Sequence, residues 1–509
     1  MNIIIRVDAS IHIGSGHVMR CLVLANSLRD QGHEVSFASR PQQGDLIEFV
    51  RGKGFVVTEL VTPTHWSKPQ NSSDYAGWLQ VTWQEDAESF IQEASDVDLI
   101  IIDHYGINAD WELLASNRLA CKVFAIDDLL RKHHADMILD QTLLRKPASY
   151  TEVNANVVAL TGCDFALLNP QFSARRLKAM KKSSPSLQVK ILVSMGGIDQ
   201  PNATLKTLKA LSELIVNKPF ITVLLSPNAP HYESVKQFCE KNTCWIRHIN
   251  FVDDMAKLML SHDVAIGAPG TTSWERACLG LPSIIVPLAE NQKTISAQLV
   301  QASAAIKVSI NEISTNLLTA YQTMMDNWHN MRLANFSICD GLGIFRVTQC
   351  INQLASNTLN TVILRPATQS NIKQVYDWQL LPETRKYALT QDIPTWDGHQ
   401  KWMKAKLVVV SDFFYMIQSP MHKHNVGVLR LDKQVNGCYV VSIFIEPGYF
   451  GRGYAKAALK FVDLLHPNIT IQATVLAENT ASQHLFTAAN YTQTAPDTFI
   501  RSPLDRERI

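Results

Sequence analysis

Ile3-Ile4-Ile5-Arg6-Val7-Asp8-Ala9-Ser10-Ile11-His12-Ile13-Gly14-Ser15-Gly16-His17 opens the chain with an apolar run, a glycine-containing stretch and the start of a new periodicity. The run reads as a buried strand, and beyond it Cys21, Leu24, Ala25 and Leu28 fall at the i, i+3, i+4, i+7 spacing of one helix face. A strand feeding a helix through a glycine loop is the repeating unit of an α/β fold. His33 to Ala38 supplies another strand. Asp98-Leu99-Ile100-Ile101-Ile102-Asp103 and Lys122-Val123-Phe124-Ala125-Ile126-Asp127 are apolar runs closed by acids, as parallel strands of a doubly wound sheet look at their carboxyl ends. This series predicts a first Rossmann-like domain over residues 1–165.

A second βα series predicts another Rossmann-like domain over 166–354. Its strand from Val189 to Ser194 runs into Met195-Gly196-Gly197, and Leu205, Leu208 and Leu211 mark the next helix. Phe220 to Leu225, Trp245 to Ile249, Val264 to Ala268 and Ser283 to Val286 read as further strands. Two such units imply a cleft, with ligands near the carboxyl ends of the strands. Residues 355–361 are small, polar and aperiodic, which predicts a linker, and 362–509 suffice for one more compact α/β domain.

Composition limits the functions available. The 47 Lys and Arg nearly cancel the 46 Asp and Glu of the 509 residues, so no overall field draws in nucleic acid or an anionic membrane. An anionic ligand must be held by local groups. The nine cysteines include no C-x-x-C pair and no His or Cys neighbours at zinc spacing, which points to reduced thiols and no structural metal. The chain starts on a strand without a basic, apolar leader, and no run approaches the roughly 20 residues that span a bilayer. A cytoplasmic protein is expected.

Two strand-loop-helix motifs carry chemistry. In the first, Gly14 and Gly16 let backbone approach a ligand, and His17 stands at the mouth of the helix. A neutral imidazole there can take a proton from water, although a glycine turn with a capping histidine fits the motif equally well. In the second, Ile266-Gly267-Ala268-Pro269-Gly270-Thr271-Thr272-Ser273-Trp274-Glu275, the amides and hydroxyls of Gly270, Thr271 and Thr272 suit a diphosphate. Glu275, one turn on, can accept from ribose hydroxyls. The competing reading is a tight βα turn with Ser273 as the helix cap. Gly196 and Gly197 place a second flexible backbone on the same cleft. His133-His134 reads as a solvated pair.

Asp8 to Arg20, Ile102-Asp103-His104-Tyr105-Gly106, Ser194 to Asp199, Gly267 to Arg276 and Ala289-Glu290-Asn291-Gln292 together resemble the UDP-2,4-diacetamido-2,4,6-trideoxy-β-L-altropyranose hydrolases of pseudaminic acid biosynthesis over about residues 1–350. The resemblance implies a glycosyltransferase-B-like arrangement of the two Rossmann-like domains. It further implies metal-free, inverting attack of water on the anomeric carbon, with release of UDP. It assigns His17 to water activation, Tyr105 and Asn291 to the border of sugar and water, and Asp103 and His104 to support. For His104 a satisfied strand-end histidine is an equal alternative.

The C-terminal stretch Val441-Ser442-Ile443-Phe444-Ile445-Glu446-Pro447-Gly448-Tyr449-Phe450-Gly451-Arg452-Gly453-Tyr454-Ala455 leads a strand through a glycine and arginine turn into a helix. Such a turn aligns amides for a pyrophosphate. Ile471 to Val475 and Glu478-Asn479-Thr480-Ala481-Ser482 follow at strand and helix spacing. These segments resemble the GNAT acetyltransferase superfamily over about 361–505, and with His399, Trp402 and Trp378 the branch that includes nucleotide-sugar and ribosomal-protein N-acetyltransferases. The resemblance implies acetyl-CoA as co-substrate, with Gly451, Arg452, Gly453 and Ala455 at the pyrophosphate and Asn479 at the pantetheine. Phe450 stands where many members carry Gln or Arg, and Phe486 where many carry a Tyr acid, which leaves water or Ser482 for that role. Glu446 is a candidate base, or else a solvated strand-end glutamate.

Jointly these readings predict a bifunctional enzyme acting on a UDP-linked amino sugar, acetylating its 4-amino group and hydrolysing the UDP linkage. The alternatives are a glycosyltransferase fused to a protein acetyltransferase, and a non-catalytic sugar-nucleotide scaffold.

Overall fold

Strands form where the apolar runs predict them, and parallel pairing places their carboxyl ends together. β1 (Asn2–Val7), β2 (Glu34–Ser39), β3 (Val56–Glu59), β4 (Leu99–Asp103), β5 (Lys122–Ile126), β6 (Met137–Asp140) and β7 (Val158–Thr161) make one parallel sheet, ordered β3-β2-β1-β4-β5-β6-β7. β4 is buried along its whole length, as a strand covered on both faces must be. β1 pairs with β2 on one side and with β4 on the other, Ile3 facing Val35 and Leu99. The chain order reverses there. Loops leaving β1 and β4 therefore diverge and open a crevice at the strand ends. Helix Gly16–Asp30 packs with Cys21, Leu24, Ala25 and Leu28 fully buried, the face its spacing predicts.

The structure is a computed structural model and describes all residues except 67, 72, 155–156, 215–217, 291, 356–361, 391, 410, 420–423 and 505–509. The chain divides into Met1–Ile344 and Phe345–Ile509, within helix Gly343–Ala355. The linker expected at 355–361 lies outside the described residues, apart from Ala355.

Also in the first unit, β8 (Lys190–Ser194), β9 (Phe220–Leu224), β10 (Ile246–Ile249), β11 (Val264–Gly267), β12 (Ser283–Ile285) and β13 (Ala305–Lys307) form a second parallel sheet, ordered β10-β9-β8-β11-β12-β13. Its order reverses between β8 and β11, so the Met195-Gly196-Gly197 loop and the Ala268-Pro269-Gly270 loop leave neighbouring strand ends. Each half of the unit thus has its own crevice, the two-Rossmann architecture of glycosyltransferase-B-like folds.

The second unit holds a mixed sheet of β14 (Ile363–Pro366), β15 (Phe413–Gln418), β16 (Asn425–Lys433), β17 (Tyr439–Ile445), β18 (Ile471–Thr474), β19 (Thr492–Ala495) and β20 (Thr498–Arg501), ordered β14-β15-β16-β17-β18-β20-β19. β17 and β18 run parallel, and every other pairing is antiparallel. Val375, Trp378 and Met403 from helices Ile372–Gln379 and Trp396–Leu407 pack on Phe414, Met416 and Val428 of the sheet. Among the described residues no helix is long and apolar enough to cross a membrane.

Candidate active site

His17 lies in the first turn of helix Gly16–Asp30, beside the end of β4. Its Nδ1 is 2.6 Å from Asp103 Oδ1, and Asp103 is fully buried. In a neutral ring, a carboxylate at that distance accepts the Nδ1 proton and leaves the lone pair on Nε2. Arg20, one turn along the same helix face, grips the same carboxylate with two bonds of 2.6 Å, from Nε to Oδ2 and from Nη2 to Oδ1. Its Nη1 donates to Asp128 Oδ2 at 2.7 Å, and that oxygen also receives the Tyr105 hydroxyl at 2.7 Å.

Burial alone would raise the Asp103 carboxyl, but Arg20 and His17 hold it far below the usual carboxylate range. Burial, reinforced by Asp128, pushes the Tyr105 phenol well above its ordinary value, so it stays protonated and donates. Aromatic rings wall the imidazole. Tyr105 meets it edge-on with ring centres 4.7 Å apart, Trp78 lies at 6.1 Å, and Trp78 and Tyr105 stack at 24°. Gly106 is required by close approach, because a Cβ there would stand 2.5 Å from the Tyr75 carbonyl oxygen. Arg20, Asp128, Trp78 and Tyr75 were not singled out from sequence. Only Arg20 carries a local signal, its i+3 spacing from His17.

His104 sits behind this group. It is buried, accepts at Nδ1 from the Gly106 amide at 3.1 Å and brings Nε2 to 3.3 Å from Asp8 Oδ2, while burial lowers its basicity. Asp8 is itself held by Arg6, the Ser39 hydroxyl and the Arg40 amide, so His104 ties the ends of β4 and β1 together. The reading of His133 and His134 as a solvated pair is wrong for His133. It is buried, with Nδ1 2.7 Å from Glu112 Oε1 and Nε2 3.4 Å from Asp127 Oδ2, because helix Ala109–Leu119 buries Glu112, which has no other cation beside it among the described residues. His134 is exposed, as expected.

The second sheet brings its loops to the same cleft. A Cβ on Gly197 would stand 3.5 Å from Ser15 Oγ, next to His17, while Gly14, Gly16, Gly196 and Gly270 face open space where a Cβ would be. Helix Thr271–Cys278 starts at Gly270 with half-buried Thr271 and Thr272 in its first turn. Ser273 is not its cap. It lies inside the helix, where its hydroxyl accepts from the Gly270 amide at 3.2 Å and from Arg276 at 3.1 Å. Glu275 keeps some surface exposed, but its Oε2 is enclosed without a partner. Burial raises its carboxyl to about 7 against the pull of Arg276. An enclosed acceptor without a donor suits a ligand hydroxyl. Asn291 lies outside the described residues; its neighbour Glu290 is close enough to Tyr75 to act on it electrostatically.

In the second unit, β17 and β18 pair only through Tyr439–Ile471 and Val440–Gln472, although β17 continues to Ile445. Past that point the two strands are not paired with one another. Glu446 follows β17, half-buried and with no partner for its carboxylate among the described residues. Gly451 and Gly453 turn the chain at φ 73° and 79°, values that favour glycine, into helix Tyr454–Leu465, whose N-terminus has no side-chain cap. Those uncapped amides, with Ala455 in the first turn, carry the partial positive charge of a helix N-terminus, which favours an anion. Arg452 is exposed, 5.3 Å over the Tyr449 ring. Asn479 caps helix Thr480–Ala488, accepting from the Ser482 amide at 3.1 Å. Phe486 is buried against Tyr491 and Phe499, with no hydroxyl to offer. Among the described residues no group of three or more His, Cys, Asp or Glu is arranged to hold a metal.

Residues 191–337 match the glycosyltransferase family 28 C-terminal domain, and 361–492 the acetyltransferase (GNAT) domain. The chain therefore combines a glycosyltransferase-like α/β segment with an acetyltransferase domain. It is 28% identical to the UDP-2,4-diacetamido-2,4,6-trideoxy-beta-L-altropyranose hydrolase of Campylobacter jejuni, across 51% of this chain and 81% of that one. It is 24% identical to the spore coat polysaccharide biosynthesis protein SpsG of Bacillus subtilis, across 70% of this chain and 98% of the other. The uncharacterized protein MJ1062 of Methanocaldococcus jannaschii aligns over 97% of both chains at 22% identity. The first part of the chain is thus similar to a nucleotide-sugar hydrolase, and its last part matches the GNAT domain.

Proposed function

We propose that the chain catalyses two steps on one UDP-linked amino sugar, acetylating its 4-amino group in the second unit and hydrolysing its UDP linkage in the first. The observation that carries the reading is the His17–Asp103 pair, its Nε2 without a partner among the described residues, with Gly197 of the second sheet close to Ser15 beside it. In the hydrolytic step water attacks the anomeric carbon and gives its proton to His17 Nε2. The bond to the UDP oxygen breaks with its electron pair, and UDP leaves with the amides at Gly270–Thr272 facing its phosphates. Attack opposite the leaving group inverts the anomeric centre, and the chemistry uses no metal. Glu275 holds the ribose, and Tyr105 and Asn291 border the sugar.

In the acetyl-transfer step the sugar amine attacks the thioester carbon of acetyl-CoA, Glu446 takes the amine proton, and the CoA thiolate leaves. The Gly451–Ala455 cradle and the gap between β17 and β18 fit such a co-substrate, with Asn479 flanking the pantetheine. Nothing in this chemistry calls on nucleic acid or a membrane, and the cytoplasm supplies both substrates.

The family 28 match favours one other reading, a glycosyltransferase attached to a protein acetyltransferase. Mass spectrometry of products from the purified protein, acetyl-CoA and a UDP-4-amino sugar separates the possibilities. Free diacetamido sugar and UDP are expected without any acceptor. A strict need for a sugar or peptide acceptor would support the second reading, and binding without turnover would leave only a scaffold.

A further inference from the structure

The Asp103 carboxylate is shared. One of its oxygens, Oδ1, lies 2.6 Å from both His17 Nδ1 and Arg20 Nη2, and that Nη2 is only 3.4 Å from Nδ1 itself. A lone carboxylate at this distance orients an imidazole but also favours its cationic form, by about 1–3 pH units, and a cation cannot take a proton from water. A guanidinium at comparable distance opposes a second positive charge. We propose that Arg20 is a positioning residue that lets Asp103 fix the tautomer of His17 without turning it into an imidazolium, and that Asp128 sets how strongly Arg20 does so.

The groups around His17 are few. Its own helix contributes Arg20 and Cys21, whose Sγ lies 3.5 Å from Asp103 Oδ2 and whose thiol burial keeps protonated. β4 contributes Asp103, the turn after it contributes Tyr105, the segment Ala76–Leu79 contributes the uncharged Trp78, and Asp128 follows β5. Among the described residues the charged set nearest His17 is one guanidinium between two carboxylates, with Arg131 further out, 5.5 Å over the Tyr105 ring, and Arg145 3.4 Å from the Asp128 carbonyl. Arg20 has 5% of its side chain exposed and Asp103 none, so solvent screens their charges little. Arg20 is held protonated despite its burial by Asp103 and Asp128. A merely structural brace would use the same bonds to pin helix Gly16–Asp30 to β4, but it would not bias the proton on His17.

The inference rests on His17 being the acceptor of water's proton, and the test separates the two. Full-length protein labelled with ¹⁵N-histidine reports both ring nitrogens of His17 across pH, with assignment by the signal missing in His17→Ala. In Arg20→Gln the imidazolium should persist to higher pH by about one unit or more. In Asp128→Asn it should give way at lower pH, and Arg20→Lys should stay near wild type. The acid limb of hydrolysis should move in the same directions. Unmoved ring signals in folded Arg20→Gln overturn the proposal. If that variant does not fold, Asp128→Asn decides alone, and an unchanged or upward shift there overturns it. Ring signals that move as described while the acid limb stays put uphold the charge balance and refute His17 as the base.

Discussion

At the scale of single residues the proposed chemistry rests on Glu275 and His17. With its carboxyl raised to about 7 by burial, Glu275 is half protonated near neutrality, and in the proposed role the ionised form is the one that accepts from two ribose hydroxyls. UDP affinity measured by calorimetry should fall about tenfold from about pH 8 to about pH 6, as single-proton linkage requires. Glu275→Gln should flatten that dependence, apart from the slope due to UDP's own phosphate, and weaken binding by roughly 1.5–3 kcal/mol. Equal slopes in wild type and variant would remove Glu275 from the ribose. For His17→Ala, loss of general-base assistance should slow hydrolysis by about 10²–10⁴-fold with little change in UDP affinity. The residue types at these positions were readable in the motifs. Arg20 and Asp128 were not, because their partners come from β4 and from the loop after β5, which meet helix Gly16–Asp30 only once the strands are ordered.

Buried charge at the strand ends fastens whole elements together. His133 links helix Ala109–Leu119 to the end of β5 through Glu112 and Asp127, which raise its basicity to about 9 against the effect of burial. A group whose folded pKa exceeds its unfolded value stabilises fully below the unfolded value, about 6.5, and loses that contribution as pH rises through the folded one. Thermal melts should therefore show His133→Gln destabilised by on the order of 3 kcal/mol near about pH 6, with the gap to wild type closing above about pH 9. A gap independent of pH would mean that His133 is buried uncharged. Sequence alone suggested solvent for this residue, since nothing local announces that Glu112 is buried 21 positions away. At the other end of the chain, the turn before helix Tyr454–Leu465 depends on Gly453 at φ 79°. Gly453→Glu adds both a strained side chain and a negative charge to the amide cradle, and should abolish acetyl transfer from acetyl-CoA while circular dichroism remains native.

Across the whole molecule the residues of the two proposed reactions lie in separate units, Met1–Ile344 and Phe345–Ile509. His17→Ala should therefore retain acetyl transfer, and Gly453→Glu should still hydrolyse a pre-acetylated substrate. Mixed together, the two variants should restore conversion of the UDP-4-amino sugar to free diacetamido sugar, as followed by chromatography of the products. Loss of both reactions in either folded variant would show that the sites are not independent.

The sequence by itself determined the class of fold and offered the candidate residues at the strand ends. Apolar runs of strand length, one helix face at 3.6-residue spacing and glycine loops between them are local features, set by burial and backbone sterics within a few residues. The short strands β3, β6, β7 and β13 escaped that reading, being three or four residues long and without alternation, and β15, β16, β19 and β20 of the second unit were not read either. What only the tertiary structure decided was which strand ends are neighbours. The reversal of order between β1 and β4 sets His17 against Asp103, and that between β8 and β11 sets Gly196 beside the Gly270 loop. The incomplete pairing of β17 with β18 likewise opens a gap that neither strand announces. Strand order and splay arise from packing between segments distant in the chain, where many alternatives satisfy the same local pattern, and the charge balance around His17 follows from that packing.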